Sequence, residues 1–289
     1  MTVYLNGQFM PLEDARIPVL DRGFIFGDGV YEVIPVYSRH AFRLAEHLSR
    51  LQHSLDGIRL INPHSDAVWT GFINELIARN PGEDQYLYIH LTRGVAKRDH
   101  AFPLPPVAPT LFMMSNPLPA PPAELLQSGV CAVTAADNRW LRCDIKSIAL
   151  LPNVLLRQMA VDAGCTETIL IRDDSFMTEG AASNIFVVKN GTLLAPPKDN
   201  LMLPGITYDV ILELAAANAI PHQVRKIAKA EVLGANELLL TSSTKEVLAI
   251  TRLDGKPVGD GVPGPMFARL HKLYQDFKRD VMRKICRLG

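Results

Sequence analysis

Cysteine is scarce in this chain of 289 residues: four occur, at 131, 143, 165 and 286, and no two form Cys-x-x-Cys. A zinc ribbon or dithiol motif therefore has no support, and four free thiols in a reducing cytoplasm are expected. Charge of one sign is missing too, since 30 Lys and Arg stand against 30 Asp and Glu. No basic excess exists to neutralise a nucleic-acid backbone. Neutrality still leaves room for a small anion held by local arginines, and copies of the chain can associate without long-range repulsion. No run of 18 apolar residues is present to span a membrane. The opening MTVYLNGQFM lacks a basic region followed by an apolar stretch, so a secretory signal is not expected. HExxH, GxSxG and Walker motifs are absent, and Gly27-Asp28-Gly29 is too short a glycine pattern to argue for a dinucleotide.

What is present is a large apolar fraction, 48%, enough to bury a core and too much for a disordered chain. Asn6-Gly7 between VYL and QFM predicts a hairpin, because a type I′ turn needs positive φ at both positions. A strand follows over 30–37. Leu44, Leu48, Leu51, Leu55 and Ile58 step by four and three, which predicts a helix. A second helix over 65–78 is expected to turn Val68, Phe72, Ile73, Leu76 and Ile77 inward, with Ser65 as N-cap. Strands are predicted over 85–93 and 110–115. Residues 116–123, NPLPAPPA, hold four prolines and read as a linker between a smaller domain, 1–115, and a larger one, 124–289. Beyond it, strands are expected at 130–135, 168–171, 184–188, 223–227, 237–240 and 246–250. Helices are expected at 152–163, 206–218, 228–233 and 265–285, the last with Leu270, Leu273, Tyr274, Phe277 and Val281 on one side. Elements interleave without a strict βα repeat, which indicates α+β.

Single residues decide nothing. Lys146 before an apolar run reads equally as a snorkelling surface lysine, Glu179 as a turn residue, and Arg50 as an exposed helix arginine. Four stretches taken together say more: FIFGDGVYEV (24–33), DIKSIALLPNVL (144–155), TEGAASNIF (178–186) with LPGIT (203–207), and LTSSTKEV (241–248). In order and spacing the chain resembles the fold type IV pyridoxal-phosphate enzymes: D-amino-acid aminotransferases, branched-chain aminotransferases and aminodeoxychorismate lyases. The resemblance covers nearly the whole chain. It implies a two-domain α+β fold with pyridoxal 5′-phosphate in the interdomain cleft.

The same resemblance implies roles. Lys146 is the lysine that joins the cofactor aldehyde and later carries the substrate proton, which needs an amine shifted below its ordinary value of about 10.4. Glu179 pairs with the pyridine nitrogen and keeps the ring an electron sink. Arg50, Ile206, Thr207, Ser242 and Ser243 hold the phosphate, Ile206 and Thr207 at a helix N-terminus, and Leu203 packs on the ring. In TRGVAKRDHAFP (92–103), Arg98 and His100, with Tyr31, resemble the carboxylate trap of the D-amino-acid aminotransferases; a guanidinium fork suits a carboxylate. That trap reaches across a dimer interface, so a cytoplasmic homodimer is implied. The expected reaction is transamination of D-amino acids, represented by D-alanine plus 2-oxoglutarate giving pyruvate plus D-glutamate. A branched-chain L-amino-acid aminotransferase, an aminodeoxychorismate lyase, an amine transaminase and a non-catalytic protein on the same scaffold are the alternatives. One departure stands out: Gly180-Ala181-Ala182 follows Glu179 where that family often has serines.

Overall fold

The computed structural model describes residues 1–283. The last part of the predicted tail helix and Cys286 lie outside the described residues. By packing, the chain divides into two units. The first holds residues 1–119, 145–150 and 282–283 of the described chain; the second holds 120–144 and 151–281.

The first unit is built on a six-stranded sheet. Its strands are β1 (Thr2–Leu5), β2 (Gln8–Pro11), β3 (Gly29–Tyr37), β4 (His40–Ala41), β5 (Gln85–Thr92) and β6 (Thr110–Pro117), in the order β2-β1-β6-β5-β3-β4. The predicted hairpin is there: Leu5 faces Gln8, and Asn6 and Gly7 have φ of 47° and 96°. The short helix α1 (Arg22–Phe26) ends at Gly27, φ 66°, the left-handed cap that favours glycine. Helices α2 (Leu44–Gly57) and α3 (Asp66–Arg79) cover one sheet face. Val30, Ile34 and Val36 of β3 join Leu48, Leu51 and Leu55 of α2 in the core. In α3 the expected face is rotated: Trp69 is fully buried while Val68 is 40% exposed. The indole outweighs valine in apolar area, and its N–H finds Asn62 Oδ1 at 3.0 Å.

The second unit holds a ten-stranded mixed sheet: β7 (Val130–Ala136), β8 (Glu167–Arg172), β9 (Phe176–Gly180), β10 (Asn184–Lys189), β11 (Thr192–Ala195), β12 (His222–Val224), β13 (Ile227–Ala228), β14 (Glu237–Ser242), β15 (Glu246–Leu253) and β16 (Lys256–Pro257). It carries α4 (Ala123–Ser128), α5 (Leu151–Asp162), α6 (Ile206–Ala217), α7 (Lys229–Leu233) and α8 (Pro265–Phe277). The strand expected over 223–227 is split. β12 pairs parallel with β11 and β13 pairs antiparallel with β9, so one continuous strand would have to serve two partners. The tail helix is α-helical only to Phe277, and Val281 is 46% exposed rather than on an apolar face. Cys131 and Cys165, expected as free thiols, are paired as a disulfide. The turn after α5 returns Thr166 N to Cys131 O at 2.9 Å and brings the two Cα atoms within 4.9 Å. Cys143 is free and buried.

Residues 145–150, assigned by the proline segment alone to the second domain, pack with the first unit. Backbone hydrogen bonds tie them along the start of β3. Tyr31 N donates to Lys146 O at 2.9 Å, and Ile148 N donates to Gly29 O at 3.1 Å. The close approach needs Gly29, since a Cβ there would lie 2.5 Å from Leu91 O and 2.9 Å from Ile148 Cδ1. Gly29→Ala should therefore lower the unfolding free energy by about 1–3 kcal/mol, the usual cost of forced overpacking. Urea denaturation measures it, and an unchanged midpoint would show that the strand can shift freely.

Candidate active site

In the first unit the backbone pairing just described sets Lys146 beside Tyr31. The amine lies 4.2 Å from the Tyr31 ring centroid, and no carboxylate among the described residues pairs with it. The backbone N–H of Lys146 is fixed by Ser54 Oγ at 3.1 Å. Tyr31 continues a row of polar aromatic side chains on the sheet face away from α2 and α3. Its ring is 5.8 Å from that of Tyr88, and the Tyr88 hydroxyl is 2.7 Å from His90 Nδ1. Burial, with Tyr31 adding, pushes the Tyr88 phenol up to about 12, so this hydroxyl stays uncharged at neutral pH.

Beneath β3 lies a buried ionic cluster. Alternation puts Glu32 on the same face as Val30, Ile34 and Val36, inside the apolar core. Two hydrogen bonds from the Arg50 guanidinium, Nε at 3.0 Å and Nη2 at 2.5 Å, bind its carboxylate, and His47 Nδ1 adds a third contact at 3.0 Å. Burial alone would raise the Glu32 carboxyl, but Arg50 and His47 overcome it and hold it well below the ordinary 4.5. Burial keeps His47 below the usual imidazole value and hence neutral, with Arg50 and Lys146 acting in the same direction against Glu32. The neutral ring donates through Nδ1, which leaves the buried Nε2 an acceptor without a partner.

Arg98 and His100 are exposed, on the loop between β5 and β6. Both stand against Phe26, whose ring centroid is 5.5 Å from Arg98 Cζ and 5.3 Å from the His100 ring. Neither side chain hydrogen-bonds to Tyr31 or Lys146 of the same chain.

The second unit centres on Glu179, on β9. Its Oε1 accepts from Arg139 Nη1 at 2.6 Å and from Leu203 N at 3.2 Å, and Oε2 accepts from Asn184 Nδ2 at 3.3 Å. Asp137 grips the other edge of Arg139 with two hydrogen bonds, at 2.9 and 3.0 Å, and accepts from Thr178 Oγ1 at 2.7 Å. Burial nonetheless dominates and raises the Glu179 carboxyl to about 7, with Arg139 opposing. Leu203 is thus tied to Glu179 through its backbone, and its carbonyl accepts from Asn184 Nδ2 at 3.0 Å. Helix α6 starts after Gly205 with no side chain capping its first amides, among them those of buried Ile206 and Thr207. A Cβ at Gly205 would sit 1.9 Å from Asn184 Oδ1. Ser242 and Ser243 are half-buried at the turn joining β14 to β15. Beside them the buried Thr241 hydroxyl has no hydrogen-bond partner.

Residues 29–253 match the family described as amino-transferase class IV. The chain belongs to the class IV aminotransferases. Over 276 residues it is 39% identical to a D-alanine aminotransferase of Bacillus licheniformis, covering 96% of each chain. Against a D-alanine aminotransferase of Staphylococcus epidermidis it is 38% identical over 275 residues, 95% of this chain and 97% of the other. The fold matches the branched-chain amino acid aminotransferase of Escherichia coli with a TM-score of 0.88 at 26% identity, over 98% of this chain and 94% of that one. The T.th. branched-chain amino acid aminotransferase, solved with pyridoxamine 5′-phosphate, gives the same score and identity, covering 95% and 93%. This class IV aminotransferase therefore has the mixed α+β fold of those enzymes.

Several charged residues around these positions escape a motif reading: Arg22, Asp28, Glu32, His47, Asp137 and Arg139. The signal available for Glu32 was its place in VYEVIPV, a carboxylate on the apolar phase of a strand. Glu32→Gln should cost about 3 kcal/mol at pH 7, because it leaves Arg50 buried without its counter-charge. Since folding holds the Glu32 carboxyl below 4.5, its contribution is full above that pH and lost as pH falls through the folded-state value. The stability gap between variant and wild type should therefore narrow in acid. Urea midpoints from pH 7 to 3 measure it; a gap that is constant or widens there contradicts the pairing.

Proposed function

We propose that this chain transfers amino groups between D-amino acids and 2-oxo acids with pyridoxal 5′-phosphate as cofactor, D-alanine plus 2-oxoglutarate giving pyruvate plus D-glutamate being representative. The observation that carries the reading is the Lys146 amine, half-buried on Tyr31 and committed to no carboxylate, in a chain similar over its full length to D-alanine aminotransferases. The residues fit the cofactor. The uncapped start of α6 and the unpartnered Thr241 hydroxyl leave donors for a phosphate, and the unpaired amine is available to an aldehyde.

When bound, the cofactor supplies an electrophilic aldehyde and a protonated ring that takes up the electron pair of the substrate α-carbon. The chain's own groups do the rest. Lys146 Nζ takes the α-proton from the donor amino acid in one half-reaction and gives a proton to the corresponding carbon of the 2-oxo acid in the other, the general acid–base work of an amine on a flexible stem. Glu179, fixed by Arg139, Asn184 and Leu203 N, is the carboxylate for the pyridine nitrogen. An adjacent positive charge would draw its carboxyl down from about 7 and keep it ionised. Arg50, held in one orientation by Glu32, acts on the phosphate together with Ile206, Thr207, Ser242 and Ser243, while Leu203 packs on the ring. Tyr31, Arg98 and His100 bind the substrate carboxylate. Exposed Arg98 and His100, which make no hydrogen bond to Lys146 in their own chain, serve a second copy in a cytoplasmic homodimer.

D- and L-alanine assayed side by side with 2-oxoglutarate should show turnover of the D-enantiomer; activity with the L-enantiomer alone would mark a branched-chain-type enzyme. Lys146→Ala should abolish turnover, and Arg98→Ala should raise KM for D-alanine roughly 10- to 100-fold, the worth of a charged hydrogen bond. Co-expression of these two variants tests the shared site. A mixed dimer contains one intact set of groups and regains activity, whereas no recovery places Arg98 and Lys146 in the service of the same chain.

A further inference from the structure

The Arg98–His100 loop is exposed, yet its backbone is not left to itself. Arg22, on the short helix α1, is 3% exposed. Its Nη1 donates to Asp99 O at 2.6 Å and to Ala101 O at 3.2 Å, and its Nη2 to His100 O at 3.5 Å. Three consecutive carbonyls of one loop thus converge on a single guanidinium. Its Nε donates to Asp28 Oδ2 at 2.7 Å, which fixes the plane of the fork. Asp28 in turn binds Arg93 at 2.8 and 3.0 Å, and the Arg93 guanidinium lies 3.7 Å from the centre of the Phe102 ring. The loop is therefore held at Arg93, at Asp99–Ala101 and at Phe102. Arg22 Cζ also stands 4.9 Å from the centre of the Phe26 ring, the ring against which Arg98 and His100 lie.

We propose that Arg22 is the positioning residue of the substrate-carboxylate trap, setting the backbone from Asp99 to Ala101 so that Arg98 and His100 project in a fixed orientation. This rests on the reading that Arg98 and His100 bind substrate. Arg22 acts through the loop and not on the substrate or cofactor, since its donors go to loop carbonyls and Asp28. The guanidinium is suited to the task because it is planar, always charged and offers several donors in a rigid fork. A lysine keeps the charge for Asp28 but cannot reach three carbonyls at once. A loop ordered in advance spares the substrate the entropy of ordering it, so the benefit appears in substrate capture.

The test uses the holoenzyme with Arg22→Lys, and Arg22→Ala beside it; should the alanine variant fail to fold, the lysine variant is the one read. Arg22→Lys is expected to raise KM for D-alanine about 10-fold, with kcat and the visible cofactor band essentially unchanged. In an Arg98→Ala background the same change should add clearly less, about 2- to 3-fold, because only His100 is left for it to orient. Amide hydrogen exchange at Ala101, whose N–H donates to Asp99 Oδ1 at 3.0 Å, should quicken about 10-fold in Arg22→Lys, a readout that does not depend on the substrate reading. Unchanged exchange overturns the proposal. So does a KM rise of equal size with or without Arg98, or a loss of cofactor that accompanies the KM change. If wild type turns over no D-alanine, the functional reading fails by itself, and the exchange experiment still decides whether Arg22 holds the loop.

Discussion

The backbone pairing between residues 146–148 and the start of β3 is the constraint on which the chemistry depends. It places a lysine beside Tyr31 through the lysine's main chain, without an ion pair to its amine. A salt bridge would have held Lys146 as firmly but would have spent its amine. Hydrogen bonds through Tyr31 N, Ile148 N and Ser54 Oγ fix the residue and leave Nζ uncommitted. The cost falls on Gly29 and Gly27, where the chain runs closer to its neighbours than a side chain easily allows. FGDG and DIKSI are therefore one device seen in two places in the sequence.

The charged clusters around Glu32, Asp28 and Glu179 follow a common rule: a carboxylate withdrawn from water is given at least one guanidinium. Glu32 has Arg50 and His47; Asp28 has Arg22 and Arg93, which also bind backbone carbonyls; Asp137 and Glu179 share Arg139. The environments differ in outcome. Asp28 is half-buried and Glu32 fully buried, but their cationic partners outweigh burial and hold both below the ordinary carboxylate range. At Glu179 burial outweighs Arg139, and the carboxyl rises to about 7. The first two are fixed anions of the framework. Glu179 is left responsive to a further positive charge, as a carboxylate for a pyridine nitrogen must be.

Much of the scaffold was legible because it follows local rules. Asn6-Gly7 demands its turn, and the four–three steps from Leu44 to Leu55 demand their helix. Where expectation failed, tertiary choice had overridden local pattern. Trp69 displaced Val68 from the core of α3, and the run at 223–227 was divided between two sheet partners. The disulfide between Cys131 and Cys165 was hidden by a separation of 34 residues that the α5 turn closes in space. Lys146, Glu179 and Arg98 were readable only as a set, through resemblance. Arg22, Arg139 and Asp137 were not readable at all, since an ion pair leaves no periodic trace in sequence and each arginine in isolation looks like a surface residue.

The discontinuity of the first unit bears on how the chain is made. Residues 145–150 complete the surroundings of β3, and Arg283 near the end of the described chain hydrogen-bonds to Asp84 and Ser38. A nascent chain that has delivered residue 119 owns all six strands of its first sheet but not the segment bearing its lysine. At about 5–20 residues per second, that segment arrives seconds later, and the contact with Asp84 only after residue 283 has been added. The two units thus cannot mature one after the other like beads on a string. For the same reason, cutting the gene at the proline segment would not yield two self-sufficient halves: it would part Lys146 from the strand that positions it.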